Sequence, residues 1–242
     1  PKQFLSIGSA RPLLVETMAR FDALAPWGAR YVVAGAHHRE PIVALCAALP
    51  TAQLIVEPCA RNTAPCIGLV AIHIAERDPQ GVMMVSPADH CVTDKEAFES
   101  ATRRAIEGAR GGKIVTLGVK PHRPETGYGY IQYAGGGQLN HSRHPVTRFV
   151  EKPPREIAES YLASGDYLWN SGVFFFSVTR ILEEIQAQLP EVYAGLQEIR
   201  SSIGTPAYSE VLPRVFSQLR SVSIDVGVME GAEEVEVIPV AF

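Results

Sequence analysis

QLIVEPCARNTAPCIGLVAIHIAERDPQGVMMVSPADH, residues 53–90, decides the fold. Its apolar runs QLIVEP (53–58) and VMMVSP (82–87) have the length and bounding residues of buried strands. Between them, TAPCIGLVAIHIAER carries apolar residues at helical spacing, with Thr63 expected as N-cap and Pro65 in the first turn. Strand, helix, strand is the unit of a parallel crossover. The same rhythm extends outward. YVVAG (31–35) and KIVTLGV (113–119) read as further strands, and DKEAFESATRRAIEGAR as a helix. Asp94 is that helix's expected N-cap, Phe98, Ala101 and Ile106 line one side, and Gly111 and Gly112 end it. The expectation is an α/β fold with a mixed, mostly parallel central sheet and helices on both faces.

After residue 120 the pattern changes. GYGYIQYAGGGQLNHSRHPVTRFVEK reads as two alternating strands around a polar, Gly-rich loop, an inserted β-hairpin. Its GGG is expected to be plain loop, because neither a GxGxxG nor a GxxxxGK[ST] pattern falls between a strand and a helix. Downstream come a helix in PREIAESYLASG, a buried strand in YLWNSGVFFFS, a helical block over 178–218 with prolines 190, 206 and 213 as expected boundaries, and a last strand in EVEVIPVAF. The 242 residues read as one domain, a length that buries roughly 70–75% of the unfolded surface.

A net charge of -4, without a run of five like charges, argues against a nucleic-acid or membrane surface as partner and leaves a small anionic substrate open. Cys46, Cys59, Cys66 and Cys91 form no CxxC pair, and the sequence shows neither a secretory h-region nor a bilayer-length apolar stretch. They read as free thiols of a cytoplasmic protein. His37 with His38, and His90 with Cys91, are adjacent pairs that seldom converge on one zinc ion, so loop and cap roles fit them better.

In open α/β sheets ligands bind outside the carboxyl ends of strands, which directs attention to the polar residues just past each apolar run. These are Glu57, Arg61, Asn62 and Thr63 after the second strand, Asp89 after the third, Glu151 and Lys152 after the hairpin, and Asn170 inside YLWNSG. Each has a local alternative: a turn for Asp89, helix caps for Asn62 and Thr63, a bulge for Asn170, a solvated strand end for Glu57. Their repeated placement after strands favours a site for a ligand with a sugar, a phosphate and a base.

The stretches PKQFL (1–5), EPCARNTAP (57–65), SPADH (86–90), GYGYI (127–131), FVEKP (149–153), NSGVF (170–174) and SIDVGVME (223–230) resemble, in order and spacing, those of bacterial mannose-1-phosphate guanylyltransferases. The resemblance covers nearly the whole chain. It implies a Rossmann-like nucleotidyltransferase fold that makes GDP-mannose and pyrophosphate from GTP and mannose 1-phosphate, with Mg²⁺ as cofactor and a homodimer as one compatible assembly. Two alternatives stand beside it: a nucleotidyltransferase for another sugar 1-phosphate, and a non-catalytic sugar-nucleotide-binding homologue. That family's Gly-rich triphosphate loop would precede Pro1 and its second metal carboxylate would follow Phe242, so a cut chain is expected; some relatives carry a phosphomannose isomerase domain further on.

The resemblance also implies roles. Asp89 would be a Mg²⁺ ligand, and Lys2 would steady the triphosphate. Glu57 would accept from guanine's adjacent N1–H and N2–H₂ donors, a pattern adenine lacks. Arg61, Asn62, Thr63 and Ala64 would line the same pocket. Glu151 would accept from sugar hydroxyls, Lys152 would meet the sugar's phosphate, Asn170 would add a sugar contact, and Gly127 and Gly129 would admit close backbone approach. Consecutive strand residues point to opposite faces, so Glu151 and Lys152 reach one ligand only if the pleat breaks there, which Pro153 and Pro154 favour.

Overall fold

The structure, a computed structural model, describes residues 1–134 and 142–241. The Gly-rich loop expected at GGG lies outside the described residues.

The chain opens with a short turn and helix α1 (Leu13–Arg20), then strand β1 (Val32–Gly35), α2 (Arg39–Leu45), β2 (Leu54–Glu57), α3 (Thr63–Ala75), β3 (Val82–Val85), α4 (Lys95–Arg110) and β4 (Ile114–Val119). The hairpin follows as β5 (Tyr130–Tyr133) and β6 (His144–Val150). After it come α5 (Arg155–Ser164), the long β7 (Tyr167–Ser177), α6 (Val178–Gln188), α7 (Pro190–Ser202), α8 (Tyr208–Phe216) and β8 (Val235–Val240).

Most element ends follow local chemistry. Asp94 caps α4 by accepting from the Ala97 N–H at 2.9 Å, and Gly112 with φ +84 lets the chain leave it. Two expectations shift. Asn62, not Thr63, caps α3: its Oδ1 accepts from the Thr63 N–H at 2.9 Å, and Thr63 becomes the first helical residue. Pro213 sets no boundary but sits inside α8, where its exposed position lets water satisfy the carbonyl that loses its partner.

The sheet departs from the mostly parallel expectation. Among the described residues β1–β2 and β4–β8 are parallel, whereas β3–β7, β4–β7, β5–β6, β5–β7 and β6–β8 are antiparallel. Much of the reason lies in β7. Eleven residues long, it pairs β3 with its last residues, β4 along its middle from Trp169 to Phe175, and β5 with its first three residues. With β7 also bonded to β5, the order β3-β7-β4-β8-β6-β5 folds back on itself like a small barrel.

Alternation along the central strands builds two cores. Ile114, Phe174, Phe176, Val235 and Val237 face a cluster shared with α3, α6, α7 and α8. Their neighbours Val115, Leu117, Val173, Phe175, Ile238 and Val240 face the opposite cluster, with Phe98, Ala101 and Ala105 of α4. Helices therefore cover both faces, as expected. No helix among the described residues is long and apolar enough to cross a membrane.

Candidate active site

The first half of the site lies past β2. Glu57 ends the strand half-buried, its carboxyl making no hydrogen bond or ion pair among the described residues, and burial pushes that carboxyl above the ordinary range. An unpartnered buried polar group costs about 1–3 kcal/mol, more when charged, so this carboxylate is poised for a donor-rich ligand. On α3 the Cys66 thiol is pushed up to about 12, by burial first and by the charge of Glu57 second. Arg61 carries a buried Nε with no partner among the described residues. Asn62 stands in the left-handed region at φ 64, where it turns the chain into α3. Thr63 Oγ1 accepts from the Ile224 N–H at 2.8 Å. Ala64 is fully buried and its N–H donates to the Val222 carbonyl at 3.1 Å.

The second half gathers around the end of β6. The strand stops at Val150, and Lys152 adopts φ 46, so the pleat does break where the prolines suggested. As a result Lys152 Nζ curls back to Glu151 Oε1 at 2.7 Å, and the Glu151 N–H donates to Glu230 Oε1 at 3.1 Å. Hydrogen bonding to Glu151 holds the Lys152 ammonium above its ordinary value. Gly129 leaves room here for Glu151: a Cβ would lie 2.7 Å from Glu151 Oε2, which would have to move, and 3.3 Å from Asn170 Cβ. Gly127 is exposed at the start of the same approach, its N–H donating to Glu125 Oε1 at 3.2 Å.

Asn170 sits where β7 bulges against β4, with Gly172 at φ +69 two residues on. Its Oδ1 accepts from the Gly172 N–H at 3.0 Å and its Nδ2 donates to Asp225 Oδ1 at 2.8 Å. Buried Thr116 donates to the Val173 carbonyl at 2.9 Å and so fixes the other side of the bulge. Asp225 was not singled out by residue chemistry; the only signal was its place in SIDVGVME. Burial first, then the charge of Glu151, holds its carboxyl above the ordinary value, while Asn170 and Lys152 oppose the shift.

The side chains of Asp89 and Lys2 make no hydrogen bond or ion pair with either group among the described residues. Asp89 is exposed in the loop after β3, without a partner among the described residues. That loop is tied down by Arg20, whose Nη2 donates to the His90 carbonyl at 2.8 Å, and it borders a cavity of about 300 Å³ lined by Arg11, Arg20, Cys91 and Lys95. Pro87 links it to the second half: a Cβ on Gly172 would lie 3.4 Å from Pro87 Cγ. Lys2 is exposed in the opening turn, and its carbonyl accepts from the Leu5 N–H at 2.9 Å. Among the described residues no three His, Cys, Asp or Glu side chains are grouped to hold a metal.

A mixed sheet whose strand ends carry an unpartnered carboxylate on one side and a Glu-Lys-Asn-Asp cluster on the other has the nucleotidyltransferase fold. A solved mannose-1-phosphate geranyltransferase from Thermus thermophilus shares it, with TM-score 0.87 and 32% identity over 99% of this chain and 67% of that one. The family model described as Nucleotidyl transferase matches residues 1–209, and the chain belongs to that family. It is 36% identical over 248 residues to a mannose-1-phosphate guanylyltransferase of Escherichia coli, covering 99% of this chain and 51% of the relative. Xanthan biosynthesis protein XanB of Xanthomonas campestris pv. campestris is 38% identical over 244 residues, covering 99% and 51%. The chain thus spans about half the length of the curated relatives it matches.

Proposed function

We propose that this domain joins GTP to mannose 1-phosphate, releasing pyrophosphate and GDP-mannose. The observation that carries the reading is the convergence of Glu151, Lys152 and Asn170 on the close approach at Gly129, in a chain 36% identical to a mannose-1-phosphate guanylyltransferase. That constellation offers a carboxylate for sugar hydroxyls, an ammonium for a phosphate and a backbone without side chain between them.

The reaction needs no proton removed from the nucleophile. A phosphate oxygen of the sugar phosphate attacks the α-phosphorus in line, the bond from that phosphorus to the bridging oxygen of the leaving group breaks, and pyrophosphate departs with the electron pair. The protein's work is to align two mutually repelling anions. Lys152 neutralises the incoming phosphate and Glu151 fixes the ring. Glu57 selects guanine through its two adjacent donors, with Arg61, Asn62, Thr63 and Ala64 around it. Lys2 steadies the triphosphate. Asp89, exposed and without a partner among the described residues, has the hard carboxylate chemistry that suits Mg²⁺, which keeps most of its waters and takes one or two carboxylates. Bound there, the ion would supply positive charge to the phosphates.

The test is pyrophosphate release by the complete natural polypeptide with Mg²⁺. Turnover with GTP and mannose 1-phosphate, at least roughly tenfold above that with ATP or with glucose 1-phosphate, is the expected result. Preference for another base or another sugar 1-phosphate would move the chain elsewhere in its family. Binding of GDP-mannose without turnover would make it a non-catalytic relative.

A further inference from the structure

One stretch of backbone touches both halves of the site. At its start the Val222 carbonyl accepts from the Ala64 N–H at 3.1 Å, and two residues later the Ile224 N–H donates to Thr63 Oγ1 at 2.8 Å. The next residue, Asp225, accepts from Asn170 Nδ2 at 2.8 Å. A turn of π-helix then spans Asp225–Met229, closed by the Glu230 N–H donating to the Asp225 carbonyl at 3.0 Å, and Glu230 Oε1 accepts from the Glu151 N–H at 3.1 Å. Single π-turns are rare and recur at functional sites. Val222, Ile224, Val228 and Met229 are buried in the main core, so the stretch is anchored along its length.

We propose that Asp225 is a positioning residue that acts through the Asn170 amide, and that residues 222–225 join it to Thr63 so that the two halves of the site are set by one strut. The inference rests on the reading of those halves as nucleotide and sugar-phosphate sites. Its force comes from the lack of slack. The bonds to Thr63 and to Asn170 leave from adjacent residues, and one trans peptide fixes their Cα atoms about 3.8 Å apart. A ligand that orders the start of α3 therefore orders Asn170 and, through Gly172 and Glu230, the bulge and the Glu151 backbone. Occupying one half makes the other half bind more tightly, and by linkage the effect is reciprocal.

Asn170 has little freedom of its own. With Oδ1 accepting from Gly172 and one Nδ2 hydrogen directed to Asp225, a single Nδ2 hydrogen remains for a ligand. Which way that hydrogen points is decided by Asp225.

The test uses the complete natural polypeptide and calorimetric titration of mannose 1-phosphate, with and without a saturating GTP analogue that cannot be cleaved between its α and β phosphates. In the wild type the analogue should tighten mannose 1-phosphate binding by roughly 5–150-fold, the usual range of coupling between sites. Thr63→Val, which removes the acceptor, and Asp225→Ala should each bring that ratio to within about twofold of one, whatever they do to either affinity alone. Thr63→Ser and Asp225→Asn, which keep an accepting oxygen in place, should preserve it. A wild-type ratio of one, an unchanged ratio in Thr63→Val and Asp225→Ala, or a ratio lost equally in the conservative variants would overturn the strut while leaving the functional reading intact. A wild type that binds neither ligand would overturn the reading itself, and the strut with it.

Discussion

Lys152→Ala is the most exacting test of the sugar-phosphate half. In the structure the ammonium is paired with Glu151 at 2.7 Å, yet the Lys152 side chain is 61% exposed, so this pair is worth only about 0–1 kcal/mol. A charge-assisted bond to a phosphate is worth about 1.5–3 kcal/mol, so moving the ammonium from Glu151 to an incoming phosphate is favourable by roughly 1–2 kcal/mol. At about 1.4 kcal/mol per tenfold, removing it should raise the KM for mannose 1-phosphate roughly 5- to 30-fold. The carboxylates of Glu151 and Asp225, left facing a dianion, push the effect toward the upper end. The KM for GTP should change less than about twofold, because among the described residues Lys152 pairs with Glu151 and makes no contact with Glu57 or Arg61. Backbone strain is a separate matter: Lys152 lies at φ 46, a conformation alanine tolerates no better than lysine. Lys152→Gly relieves that strain and should show the same KM defect if the ammonium is what matters, and Lys152→Arg should recover part of it. Steady-state pyrophosphate release on all three variants is the assay. A selective defect in GTP, or a glycine variant that behaves like wild type, would refute the assignment.

Four further outcomes follow from the geometry. Glu57→Gln should lower the preference for GTP over ATP about tenfold or more, measured by titration, since the replacement offers one acceptor where guanine presents two donors. Asp89→Asn should reduce turnover on the order of 100-fold or more, the scale of one charge-stabilising group, with an unchanged melting curve because the residue is exposed. Gly129→Ala should raise the KM for the sugar phosphate in a folded enzyme, because the new Cβ would lie 2.7 Å from Glu151 Oε2 and displace it. Burial and Glu151 hold the Asp225 carboxyl above its ordinary value, so its ionisation opposes folding: the loss begins as pH rises through the unfolded value of about 3.9 and is complete above the folded one. Asp225→Asn should accordingly raise the melting temperature at neutral pH and leave it unchanged in acid below the unfolded value, and a lowered melting temperature at neutral pH would contradict the sign.

What the sequence displayed and what it concealed divide along physical lines. Elements specified by short-range chemistry were legible: the cap at Asp94, the glycine exit at Gly112, and the buried strand in YLWNSGVFFFS. Strand direction was not, because a run such as YLWNSGVFFFS reads the same whether its neighbours are parallel or antiparallel. The return of β7 across the sheet makes three of the pairings antiparallel, and the hairpin strand β6 makes the other two. The site followed the same rule. Glu57, Glu151 and Lys152 each stand at the end of an apolar run, and the two prolines announced the broken pleat that φ 46 at Lys152 realises. Asp225 lies in no such place. Its partner Asn170 is 55 residues away, and the neighbouring bond from Ile224 to Thr63 spans 161, so its role exists only once the chain has folded.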